Sequence, residues 1–107
     1  LNDGAYGALM EVKFMHFTPP VRVWRGPRIH DNNAEFSEFT VWGPTCDSYD
    51  VLPQIFTLPS DIDEDDWVEF GLMGAYTQAS LTPFNGFDRR DQYWLEEVYT
   101  GKEQQPE

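Results

Sequence analysis

Val41-Trp42-Gly43-Pro44-Thr45-Cys46-Asp47-Ser48-Tyr49-Asp50 decides how this chain reads. Upstream of it, Phe36 to Trp42 carries the aromatic and β-branched residues of a strand. Downstream, Val51 to Leu58 reads as another strand, and Pro53 within it marks an edge or a bulge, because proline cannot donate to a ladder. Gly43 and Pro44 between them set a turn, one by freeing the backbone and the other by fixing a dihedral. The turn presents the chain's one cysteine, Cys46, followed at once by Asp47. A lone cysteine is by habit a small buried hydrophobe; on a turn beside a carboxylate it is also a candidate reactive thiol. Strands that feed a loop commonly place functional groups there.

Outward from this turn, the pattern stays short and strand-like. Asn2-Asp3-Gly4 is a turn signal. Tyr6 to His16 alternates, with Tyr6, Ala8, Met10, Val12, Phe14 and His16 on one face, and is expected to be a long strand. Pro19-Pro20 breaks it. Val21 to Arg25 reads as a short strand, Gly26-Pro27 as a turn and Arg28 to Asn33 as a loop. Asp61 to Asp66 is an acidic run ahead of the strand Trp67 to Phe70. A calcium loop needs Gly and Glu where this run has Asp66 and Leu72, so it reads as a solvated turn. Leu72 to Leu81 is expected to be a turn or the one short helical segment, Phe84 to Phe87 a loop, and Gln92 to Tyr99 a last strand, although Leu95-Glu96-Glu97 also tolerates helix, before a polar tail from Gly101. Short strands punctuated by Gly and Pro predict an all-β domain, a Greek-key-like barrel or sandwich.

The composition fits one packed domain. The 107 residues are 40% hydrophobic and 16% aromatic, with 7 basic and 19 acidic side chains and a net charge of −12. So negative a surface repels phosphate backbones and anionic lipid, which argues against nucleic-acid and membrane partners. One cysteine makes no intrachain disulfide and suits a reducing compartment, hence a cytoplasmic setting. No apolar run approaches the roughly 20 residues of a membrane span. His16 and His30 form no recognised metal spacing with the acids, and no metal is expected. The chain opens directly on a motif at Leu1 and reads as a piece of something longer.

Three stretches in order, Asn2-Asp3-Gly4 with Tyr6, then Trp42 to Asp50, then Met73-Gly74-Ala75-Tyr76-Thr77 leading to Phe84-Asn85-Gly86-Phe87, carry a resemblance. From Asn2 to about Phe87 the chain resembles the C-terminal β domain of the fold type III, pyridoxal-phosphate-dependent basic amino-acid decarboxylases, the ornithine/lysine decarboxylase family. The resemblance implies an alanine racemase C-terminal-domain-like β fold spanning the chain. It would sit beside a pyridoxal-binding barrel that lies outside the chain and supplies the Schiff-base lysine. Lys13 and Lys102 do not resemble that lysine, so the isolated chain is expected to be inactive.

The same resemblance implies roles. Cys46 is similar to the thiol that manages protonation after carbon dioxide leaves, and Asp47 to the carboxylate that binds the distal ammonium of the substrate. Asp3 is its implied counterpart from the neighbouring subunit, Tyr76 the implied donor to the cofactor phosphate, and Phe84 a lining residue of the substrate pocket. Diaminopimelate-specific members usually carry Cys-Glu where this chain has Cys46-Asp47, so the implied substrate is ornithine or lysine and the product putrescine or cadaverine, in polyamine biosynthesis. The implied site forms across a homodimer. Read without the family, Asp3 is equally an Asx-turn acceptor and Tyr76 a core aromatic. The alternatives are a non-catalytic regulatory relative, a free-standing acidic β interaction module and, more weakly, a thiol hydrolase pairing Cys46 with His16 or His30.

Overall fold

The computed structural model describes residues 1–30, 35–74, 77–87 and 91–93. Tyr76, the expected strand from 94 onward, and the tail lie outside them. One helix, α1 (Met10–Met15), precedes five strands: β1 (Val21–Arg25), β2 (Arg28–Ile29), β3 (Phe36–Trp42), β4 (Val51–Pro59) and β5 (Trp67–Phe70). A 3-10 turn follows at Phe84–Gly86. The strands form two antiparallel sheets, one ordered β2-β1-β5 and one made of β3 and β4. The all-β expectation holds, as two open sheets facing one core; no closed barrel forms among the described residues.

Two expectations change. Tyr6 to His16 is not a strand: residues 5–9 form a turn and Met10–Met15 a helix. The buried hydrophobic residues here are Ala5, Leu9 and Val12, spaced four and three apart, which is helical spacing; the alternation noted in the sequence leaves Phe14 and His16 exposed. His16 ends the helix in the left-handed conformation, φ 55°. The helix of the described residues therefore lies here; between Leu72 and Leu81, where a short helix or a turn is expected, the described residues form turns and bends. The loop expected from Arg28 opens instead with the two-residue strand β2, paired with the end of β1 across the Gly26-Pro27 turn.

The core draws on every layer: Leu9 and Val12 from the N-terminal segment, Val23 from β1, Val41 from β3, and Leu52, Phe56 and Leu58 from β4. Phe56 meets Phe70 of β5 edge-on, ring centroids 5.7 Å apart, which joins the two sheets. Pro53 sits where the β3–β4 register slips between Thr40 and Trp42, so the ladder needs no donor from it. The next residue, Gln54, donates its amide to the carbonyls of Val12 and Phe17 at 2.6 and 2.8 Å and ties the helix and the segment leaving it to β4. Away from the core, the acidic turn is an anchor. The Arg25 guanidinium forks onto Asp66 at 3.0 and 3.1 Å and reaches Asp61, which also meets His30 Nε2 at 2.8 Å. Asp66 is held below the usual carboxylate range chiefly by that guanidinium.

Candidate functional site

Between β3 and β4 the chain makes the turn that carries Cys46. The Gly43 amide donates to the Asp50 carbonyl at 2.9 Å and closes the loop at its base, and the Asp50 amide donates to the Asp47 carbonyl at 3.0 Å within it. Cys46 takes the left-handed conformation, φ 62°, strained for a residue with a Cβ and so fixed by its surroundings. The thiol is exposed, with only a long contact of 3.9 Å to the Pro44 carbonyl. This is a presented thiol, not a buried hydrophobe.

Asp47 stands beside it, half-buried. Its Oδ1 accepts the Tyr49 amide at 2.8 Å, and the Tyr6 hydroxyl lies close to its charge. Burial pushes the Tyr6 hydroxyl above its ordinary pKa, and the neighbouring Asp47 charge pushes it further. Tyr6 also stacks on Phe84, ring centroids 4.1 Å apart and planes at 28°. The Asn85 side chain donates to the Thr45 carbonyl at 2.8 Å, so the 84–86 turn is fastened directly to the cysteine loop. Thr82 donates its hydroxyl to the Tyr6 carbonyl at 2.6 Å and completes the seam. The Cys46-Asp47 turn and Phe84, distant from it in sequence, are thus brought together at one edge of the fold.

Asp3 reaches the same neighbourhood by a different route. Its Oδ1 accepts the amides of Gly4 and Ala8 at 2.8 and 3.2 Å, the next residue and the fifth along, so it caps the turn that follows it without the two-residue spacing of an Asx turn. It lines a crevice with Tyr6, Pro44, Thr45, Asp50, Phe84 and Phe87. A separate cleft of about 680 Å3, walled by Leu1, Leu9, Trp67, Phe70 and Met73, also includes Asp3 but none of Cys46, Asp47 and Phe84. The larger cavity is therefore not where the candidate chemistry collects.

Tyr6, Thr45 and Asp50 were not singled out for a role from sequence. Asp50 is 1% exposed; its Oδ1 accepts the Ala5 amide at 2.8 Å, and its Oδ2 the Thr45 amide and hydroxyl at 3.1 and 2.6 Å. Burial alone would push this carboxyl up. The Thr45 and Ala5 donors and the Lys13 charge outweigh it and hold the group below the usual range. Its place at the end of the quoted motif was the available signal.

A family model described as the C-terminal sheet domain of pyridoxal-dependent decarboxylases matches residues 1–74. The ornithine decarboxylase of Neurospora crassa is 38% identical over 96 residues, covering 81% of this chain and 20% of that protein. Among solved structures, the arginine decarboxylase of Paramecium bursaria Chlorella virus superposes with a TM-score of 0.74 at 33% identity, over 88% of this chain and 25% of that one. The lysine/ornithine decarboxylase of Vibrio vulnificus, complexed with cadaverine, superposes with a TM-score of 0.73 at 34% identity, over 91% and 25%. The chain spans about a fifth of the length of the curated relatives it matches.

The residues fit the rim of a pyridoxal site and not its anchor. The Lys13 ammonium is taken up by the Tyr49 carbonyl and lies 3.4 Å from the centre of the Tyr49 ring, so it is not offered to an aldehyde. Lys102 and Tyr76 lie outside the described residues. What the described edge does present is a thiol, a carboxylate and an aromatic wall.

Proposed function

The chain belongs to the family of pyridoxal-dependent decarboxylase C-terminal sheet domains, and from that premise we propose that it is the C-terminal part of a decarboxylase acting on ornithine or lysine. In this reading residues 1–107 are one domain of a longer, cytoplasmic enzyme whose barrel lies elsewhere in the protein. The amine made, putrescine or cadaverine, feeds polyamine biosynthesis. The site is shared across a homodimer, and this edge is its rim.

The observation that carries the reading is the Cys46 turn: an exposed thiol on a fixed left-handed backbone, with Asp47 beside it and the turn that carries the Tyr6–Phe84 stack fastened to Thr45. Pyridoxal phosphate, when bound, supplies the electron sink for loss of carbon dioxide. Asp47 binds the distal ammonium of the substrate by a charge-assisted bond, with Asp3 as its counterpart. Phe84 walls the aliphatic chain and excludes water from it. Cys46 holds the proton that the substrate carbon receives once carbon dioxide has gone, a task suited to a polarisable, exposed thiol. Tyr76 donates to the cofactor phosphate.

The test is carbon dioxide release by the full-length dimer from L-ornithine, L-lysine and L-arginine, beside the 107-residue chain alone. Turnover with ornithine or lysine by the full-length protein, and none by the isolated chain, is the expected result. A full-length protein that binds the cofactor and decarboxylates none of the three overturns it.

A further inference from the structure

We propose that Asp50 is the positioning residue of this site: its buried carboxylate clamps the Cys46 turn to the segment that follows Asp3, and so sets where the thiol and the Asp47 carboxylate stand. The inference rests on the decarboxylase reading for its catalytic consequence, and on the geometry alone for the clamp.

Every polar group of Asp50 is spent on this junction. One carboxylate oxygen takes the Ala5 amide, two residues after Asp3 and one before Tyr6. The other takes both the amide and the hydroxyl of Thr45, the residue before Cys46. Its backbone carbonyl and amide bond Gly43 and Asp47, on either side of the thiol. Two glycines make the room. A Cβ at Gly4 would lie 2.4 Å from Asp50 Oδ1, and one at Gly43 2.1 Å from it. The thiol does little to hold its own turn, given its 3.9 Å contact, yet Cys46 stays in a conformation that non-glycine residues avoid. Its neighbours therefore impose the conformation, and Thr45 and Asp47 are the two that Asp50 holds.

The chemistry explains a carboxylate at this place. Three donors converge on it, and only a group that accepts on both oxygens satisfies them all. An asparagine of the same shape turns an N–H toward either Ala5 or Thr45 and releases one side of the clamp.

The experiment uses full-length enzyme carrying Asp50→Asn, Thr45→Val or Thr45→Ser, and reads the ratio of amine to aldehyde product. A proton delivered to the wrong carbon leaves the amino nitrogen on the cofactor, and water then releases the carbon chain as an aldehyde. This ratio is a property of each turnover, so a loss of folded protein does not move it. Asp50→Asn and Thr45→Val should raise the aldehyde share about tenfold, the scale on which small misplacements act, while Thr45→Ser keeps the wild-type ratio. A wild-type ratio in both Asp50→Asn and Thr45→Val overturns the proposal; if Asp50→Asn does not fold, Thr45→Val decides. If the wild-type protein decarboxylates nothing, the functional reading fails, and the clamp is judged by the alkylation rate of Cys46 with iodoacetamide, followed by peptide mass. A change of about threefold or more in the same two variants supports the clamp on the thiolate's dependence on its surroundings, and a smaller one overturns it.

Discussion

The ring of Tyr6 lies on the ring of Phe84, 4.1 Å between centroids, across 78 positions of sequence (84 − 6). That stack and the Asn85–Thr45 bond together decide that the 84–86 turn lies against the cysteine loop. An aromatic pair of this kind contributes about 0.5–1.5 kcal/mol beyond its buried area. A double-mutant cycle of Tyr6→Ala and Phe84→Ala, measured by chemical denaturation, should return a coupling energy in that range. Additive losses would mean that the two rings are held by their separate surroundings.

Gly43 and Gly74 make opposite predictions for the same substitution. A Cβ on Gly43 would fall 2.1–2.4 Å from the buried Asp50 carboxylate, whereas one on Gly74 meets nothing within 4 Å. Gly43→Ala should cost at least about 1–3 kcal/mol, the range for forcing an atom into a packed interior. Gly74→Ala should be near neutral, since its backbone is not in the left-handed region. Thermal unfolding of the two variants side by side checks this. Equal shifts would mean that the Asp50 junction relaxes freely.

Much of this architecture was legible in the sequence. Strands β1, β3, β4 and β5 follow their β-branched and aromatic runs, and Pro53 marked the slip in β4 before any coordinate did. Helix α1 was hidden because Tyr6 to His16 satisfies two periods at once. Which one governs depends on whether Leu9 and Val12 or Phe14 and His16 find a core, and β4, which arrives forty residues later, supplies it. The site divides in the same way. Cys46, Asp47 and Phe84 stand out by type and motif. The reach of Tyr6 to Asp47 and the three-donor grip of Asp50 are long-range facts that no local spacing encodes.

Acid should loosen the Asp50 junction, and the sign follows from its depressed pKa. Folding binds the ionised form better, so its contribution is full well above the ordinary carboxyl value of 3.8 and is lost as pH falls through the lower folded value. Asp61 and Asp66, also held low, act in the same direction. Wild-type stability should therefore decline on acidification below about pH 5. Asp50→Asn should be less stable at neutral pH and show a shallower decline. Parallel curves for the two proteins from denaturation at several pH values would remove Asp50 from the acid response.

The final prediction separates substrate recognition from surface charge. Asp47 is half-buried, fixed by the Tyr49 amide, and stands at the presented edge next to Cys46 with the Tyr6 hydroxyl close to its charge. Glu64 is exposed on the acidic turn, on the side held by Arg25, and bears the same charge. If Asp47 meets the distal ammonium of ornithine or lysine, its removal leaves that cation poorly paired where water is excluded. Losing one partner of a buried charge pair costs about 3–5 kcal/mol, roughly two to four decades in kcat/KM. Asp47→Ala in the full-length enzyme should raise KM steeply and shrink the preference for ornithine and lysine over norleucine. Asp3→Asn tests the second carboxylate: it removes the charge but keeps an oxygen for the Gly4 and Ala8 amides, so a specificity loss there separates ammonium binding from turn capping. Glu64→Gln should leave all three constants close to wild type, because solvent screens its charge. The measurement is kcat/KM for each amino acid with each variant. Equal small losses for Asp47→Ala and Glu64→Gln would remove Asp47 from the ammonium site, and with it the main argument for a basic amino acid as substrate.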